Sequence, residues 1–105
     1  MQQFKAVVHY HFKKGKEMQG LKFLENNLLK QAQEMGCHYI EMLQCERDPT
    51  YVIGIAVWSN INEARRFQST WDRYEQELLQ FCTKTPEREF FKIKGIFEEK
   101  GRKAA

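Results

Sequence analysis

An α+β fold, with one antiparallel sheet carrying both helices on a single face, is predicted by three observations. These are the order of hydrophobic periods, two strand-like segments that are apolar on both faces, and a length that holds one core. Along the 105 residues the periods run alternating, helical, alternating, alternating, helical, alternating. That order is β-α-β-β-α-β, the split-βαβ or ferredoxin-like arrangement. A single domain is expected over residues 1–98, followed by a basic, solvated C-terminal tail over 99–105.

Residues 3–12 alternate as a strand, with Phe4, Ala6, Val8, Tyr10 and Phe12 on one face and Lys5, Val7, His9 and His11 on the other. The continuously apolar set belongs to a core. After the turn Lys13-Lys14-Gly15-Lys16, the residues Met18, Leu21, Leu24, Leu28, Ala32 and Met35 recur at spacings of three and four, which predicts an amphipathic helix over 17–35. Gly36 stands where a left-handed C-terminal cap would end it. A hairpin follows, with strands over 37–46 and 51–58 and the turn Arg47-Asp48-Pro49-Thr50 between them.

Ser59 or Asn60 caps the second helix, and Asn60-Ile61-Asn62-Glu63 has capping-box spacing. Its buried stripe is Ile61, Ala64, Phe67, Trp71, Tyr74, Leu78 and Phe81, and Pro86 stops any continuation. Residues 88–98 make the last strand, with Phe91, Ile93 and Phe97 on one face and Phe90 and Ile96 on the other. Tyr51 to Trp58 is nearly all apolar, as in a strand covered on both faces. Two helices cover one face only, so a second copy of the chain is expected on the other. Val52, Ala56, Trp58, Phe90 and Ile96 are taken as the surplus that this copy buries.

Hydrophobic residues at 42% and charged residues at 30% describe an ordinary water-soluble domain, and no apolar run reaches the roughly 20 residues that span a bilayer. The N-terminus enters strand alternation directly, without a secretory pattern, and the three cysteines Cys37, Cys45 and Cys82 form no CxxC. A cytosolic protein with free thiols is expected. Its 17 basic residues are interspersed with 14 acidic ones, and no RNP1 pattern occupies the third strand, so nucleic acid is not the expected partner. Neither a phosphate loop nor a hydrolase motif is present.

Lys14-Gly15-Lys16-Glu17, Gly36-Cys37, Asp48-Pro49 and Val57-Trp58-Ser59 occur in an order and spacing that resemble the antibiotic biosynthesis monooxygenase-type domain, over residues 4–82. The resemblance implies a dimeric α/β barrel, in which two sheets pack face to face with helices outside. It further implies oxygenation of an aromatic or polyketide-like compound by dioxygen without a metal, flavin or other cofactor. The haem-degrading branch of the family carries an Asn on the first strand and a Trp and a His on the second helix. Residues 3–12 here have no Asn and residues 61–82 no His. Where relatives often place an acidic residue two before the strand-three Trp, this chain has Ala56, which together with Gly54 predicts a cavity against Trp58.

His9, His11 and Tyr39 are the candidate proton-handling groups, since imidazole titrates near neutrality. His9 and His11 also have the i, i+2 spacing of two metal ligands, with His38 or Glu41 as completers, but a strand lies between, about 10 Å at the usual strand spacing. No metal is expected. Trp58, Trp71 and Tyr74 are the candidate aromatic wall for a flat substrate, with Trp58 at the mouth and Trp71 chiefly structural. The reading from another functional class is a non-catalytic dimer that binds or senses a small hydrophobic molecule.

Overall fold

A computed structural model describes residues 4–97 of the chain. Strands β1 (Phe4–His11), β2 (Cys37–Gln44), β3 (Tyr51–Trp58) and β4 (Glu87–Lys92) form one antiparallel sheet in the order β2-β3-β1-β4. The fold is ferredoxin-like; of the two segments apolar on both faces, one is the central strand β3 and the other is the edge strand β4, while the second central strand, β1, carries Lys5, His9 and His11 on its outer face. The basic tail expected at 99–105 lies outside the described residues.

Register assigns the faces. Ala6 pairs with Ala56, Val8 with Gly54 and Tyr10 with Val52, so these residues, with Trp58 and Phe90, share the face beneath the helices. Tyr10, Phe12, Val52 and Trp58 are almost wholly buried there. The opposite face carries Val7, His9 and His11 from β1, and Tyr51, Ile53, Ile55 and Val57 from β3. This corrects the expected surplus: Val52, Ala56, Trp58 and Phe90 are covered by the chain's own helices, and Ile53, Ile55 and Val57 are the residues left facing away. Period 2 gives two sets of a strand but not which set a helix covers.

The first helical arm is α1 (Glu17–Phe23), a π-helical segment Leu24–Leu29 and α2 (Lys30–Glu34), where the periodicity predicts one uninterrupted α-helix. Within the segment the Asn27 amide donates to the Phe23 carbonyl at 2.9 Å, a local bond that Asn offers in competition with the α-helical ladder. Gly20 packs directly on the Phe12 ring, where a Cβ would collide, so the arm lies close to the sheet. Leu24 and Leu28 are buried against it, each contributing about 1.5–3 kcal/mol. Gly36 then turns with φ +112°, a left-handed value that ends the helix as predicted.

The second arm is α3 (Ile61–Arg66), α4 (Gln68–Leu78) and a 3-10 turn Leu79–Phe81. Its start is the predicted cap: Asn60 Oδ1 accepts from the Glu63 backbone N–H at 2.9 Å, and the Asn60 amide donates to Glu63 Oε1 at 2.7 Å. The second bond differs from a capping box in using the side-chain amide in place of the backbone N–H. Strand β4 stops at Lys92, which pairs with Phe4 of β1, short of the expected residue 98. Ile96 and Phe97 beyond it are exposed.

Candidate functional site

Between the helices and the sheet lies an apolar cavity of about 40 Å³. Gly54 and Ala56 on β3 border it, and Trp58, Trp71, Phe67 and Tyr10 form its aromatic walls. The space predicted beside Trp58 is therefore present. Trp58 is 1% exposed and Trp71 5%, and both rings line it. Trp58 packs on Phe67 with ring centroids 5.6 Å apart, and Tyr10 lies 6.2 Å from Trp71.

Two polar features stand out in this apolar wall. Trp58 Nε1 is buried with no hydrogen-bond partner among the described residues, a donor whose desolvation is uncompensated. Arg88 points inward from β4, its guanidinium carbon 4.7 Å from the Phe90 centroid and 5.7 Å from those of Phe67 and Trp71. It donates to Gln68 Oε1 at 2.9 Å and to the Ala64 carbonyl at 3.1 Å, both neutral acceptors. Burial lowers the Arg88 pKa, while Tyr10 and Asp72 oppose the shift. Burial likewise raises the Tyr10 phenol well above its ordinary value, with Arg88 pulling the other way. A guanidinium has five donors, so a cation with capacity to spare borders the cavity.

Sequence reasoning missed Arg88. Its signal was there in the alternation of β4, where Arg88 shares the inward register with Phe90, but an inward charge on an edge strand also serves to discourage edge pairing.

Tyr74 does not line the cavity. Its hydroxyl accepts from the Gln31 amide at 2.7 Å and its ring meets Phe23 edge-on at 6.2 Å, tying the two helical arms together. His9, His11 and Tyr39 stand on the sheet face away from the helices. His9 Nδ1 and the Tyr51 hydroxyl are 2.8 Å apart, and His11 stacks on the Tyr51 ring at 4.8 Å. The His11 pKa is lowered by desolvation, then by Lys84 and His9, against Glu87 and Asp48. Tyr39 donates to Glu41 Oε2 at 2.7 Å, and that bond raises the phenol pKa, away from neutrality.

His38 occupies a bulge in β2 and bonds the Ser59 hydroxyl, and among the described residues no three His, Cys, Asp or Glu side chains are grouped to share an ion. The thiols of Cys37 and Cys82 are buried and their pKa values raised by desolvation. Protonated at neutral pH, they act as packing groups.

Several solved structures share this architecture. A mutant of SnoaB, a cofactor-independent oxygenase from Streptomyces nogalater, superimposes with a TM-score of 0.79 at 16% identity, covering 94% of this chain and 100% of that one. A protein described as an antibiotic biosynthesis monooxygenase gives 0.69 at 13% identity over 89% and 98% of the two chains. A dimeric ferredoxin-like protein from an uncultured marine organism gives 0.73 at 12% identity over 94% of each. The chain shares their fold. No protein-family model matches the sequence, and no curated protein matches it either. Among the described residues no helix is long and apolar enough to cross a membrane.

Proposed function

We propose that this protein is a monooxygenase of the antibiotic biosynthesis type, a cytosolic homodimer that oxidises a flat aromatic or polyketide-like compound with dioxygen and no metal or flavin. The observation that carries the reading is the apolar cavity bordered by the inward Arg88 and the unpaired Trp58 N–H. Oxygenation without a cofactor needs a substrate that supplies electrons itself, as an ionised phenol or enol does. A buried cation and a buried N–H favour the ionised oxygen of such a compound, and the surrounding rings exclude water. The balanced reaction converts a ring CH2 and O2 to a ring C=O and water. Four electrons are taken up by dioxygen, one oxygen atom enters the product, and the other leaves with both protons.

Arg88 and Trp58 would hold the substrate oxygen, and Trp71 and Phe67 would stack on its ring. His9, His11 and Tyr39 would handle protons only in a barrel interior formed by two sheets, because they face away from the cavity. The outer face supports that second copy: Val7, Ile53, Ile55 and Val57 form an apolar strip, and Leu43 and Phe91 beside it are 44% and 49% exposed.

The test is dioxygen uptake with hydroxylated naphthalenes and anthrones, using labelled O2 to follow one oxygen atom into product. Saturable uptake that falls in Arg88→Gln supports the reading. Tight binding without uptake would leave the non-catalytic sensing module in its place.

A further inference from the structure

At about 40 Å³ the cavity with Met42 in place is far smaller than small-molecule pockets, generally about 300–1,000 Å³, so a ring system needs Met42 displaced. A groove of about 440 Å³ lies on its flank, lined by Glu25, Asn26, Leu29, Lys30, Gln33, Ile40 and Met42. Leu29, Ile40 and Met42 line both spaces, so the same three side chains stand between them. Among the described residues no strand closes this flank, because β2 is a sheet edge. The opposite wall is the π-helical segment, which presents Leu28 and Leu29 to the cavity and Glu25 and Asn26 to the groove. Interruptions of this kind are common beside functional sites.

Met42 is the movable part of the partition. Its sulfur is 3.2 Å from where a Cβ on Gly54 would stand, so it fills the space that the glycine leaves. Methionine has three rotatable side-chain bonds and an unbranched stem, and it repacks at small cost. Ile40, β-branched, has less freedom.

The rim is polar but balanced. Glu25 and Lys30 bring one charge of each sign, and Asn26 and Gln33 bring amides that both donate and accept. Such a rim has no net field to draw a carboxylate or phosphate, and it has the hydrogen-bonding groups for hydroxyls or amides.

We propose that the groove is the outer half of the ligand site and that Met42, with Leu29, is its throat. A flat apolar group passes Met42 to lie beside Trp58, and an uncharged hydroxyl- or amide-bearing end of the same molecule stays between the two polar sides of the groove. The inference rests on the reading of the cavity as a ligand site.

Two measurements test it. The first is acrylamide quenching of Trp58 fluorescence in a Trp71→Phe background. Met42→Ala and Leu29→Ala should raise the quenching constant several-fold, while Leu78→Ala, which truncates a buried residue outside the cavity, should not. Should Trp71→Phe fail to fold, solvent exchange of the Trp58 indole N–H, followed by NMR without that background change, makes the same comparison. Equal effects at Leu78 and Met42, or no effect at Met42, would overturn the throat. The second is calorimetry with 2-naphthol, 2-naphthyl β-glucoside and 2-naphthyl phosphate. The glucoside should bind more tightly than the phosphate, and Asn26→Ala with Gln33→Ala should remove that advantage without weakening 2-naphthol. A preference for the phosphate, or a glucoside that does not bind where 2-naphthol does, would overturn the groove assignment. Failure of 2-naphthol and the glucoside alike would overturn the ligand-site reading beneath it.

Discussion

Arg88 lies over Phe90, two residues along the same inward register of β4, with the guanidinium carbon 4.7 Å from the ring centroid. The arrangement places a charge against the core on three aromatic faces, held by two hydrogen bonds to neutral oxygens. A role in packing and a role in ligand binding make opposite demands on that charge. Replacing a buried charge by a hydrophobe of similar length is often neutral or stabilising. Arg88→Met is therefore expected to leave the urea midpoint unchanged or raise it. A charge-assisted hydrogen bond is worth about 1.5–3 kcal/mol, so the same variant should bind an ionised naphthol roughly 10- to 100-fold more weakly by calorimetry. Unchanged affinity would make Arg88 a packing residue.

Trp58 is more deeply buried than its place at a strand end suggests, at 1% exposure, and it is not at an open mouth. Trp58→Ala should cost about 3–5 kcal/mol in chemical denaturation, as should Trp71→Ala. Trp58→Phe separates the roles: it keeps an aromatic body and removes the unpaired N–H, so it should cost much less than alanine while weakening ligands that offer an acceptor. A Trp58→Phe variant that binds acceptor-bearing ligands as tightly as the parent would show that volume alone matters.

Ile53 and Val52 are neighbours in β3 on opposite faces. Val52→Lys places a charge in the protomer core and should prevent folding, seen as loss of a cooperative melt. Ile53→Lys places it on the outer face, so the protomer should stay folded, and sedimentation equilibrium should move from twice 12.6 kDa to a single chain. A folded wild-type monomer at micromolar concentration would end the barrel assembly.

His11 makes stability depend on pH. Its pKa in the folded chain lies below the ordinary 6.5, so the unfolded chain binds the proton more readily. The contribution of His11 to stability is fully present above pH 6.5 and is lost as pH falls through the lowered value. Denaturation between pH 5 and 8 should show stability rising with pH, with a smaller slope in His11→Gln. An identical slope in the variant would assign the dependence to other groups.

The element order was legible in the sequence because periods of 2 and of 3.6 are local. The hairpin, the Asn60 cap and the left-handed Gly36 were equally readable, since each depends on a few adjacent residues. The space beside Trp58 could also be anticipated, because Gly54 and Ala56 remove volume from one register of a strand. Only the tertiary structure decided which register the helices cover: alternation is symmetric between faces, and Val52 and Ile53 are equally apolar. The π-helical segment has no distinct hydrophobic period and was hidden inside an amphipathic stripe. Arg88 became visible only when β4 paired with β1 and aimed its side chain into the core. The partition between cavity and groove joins Leu29, Met42 and Gly54, three residues from three elements, which no local pattern connects and close packing brings together.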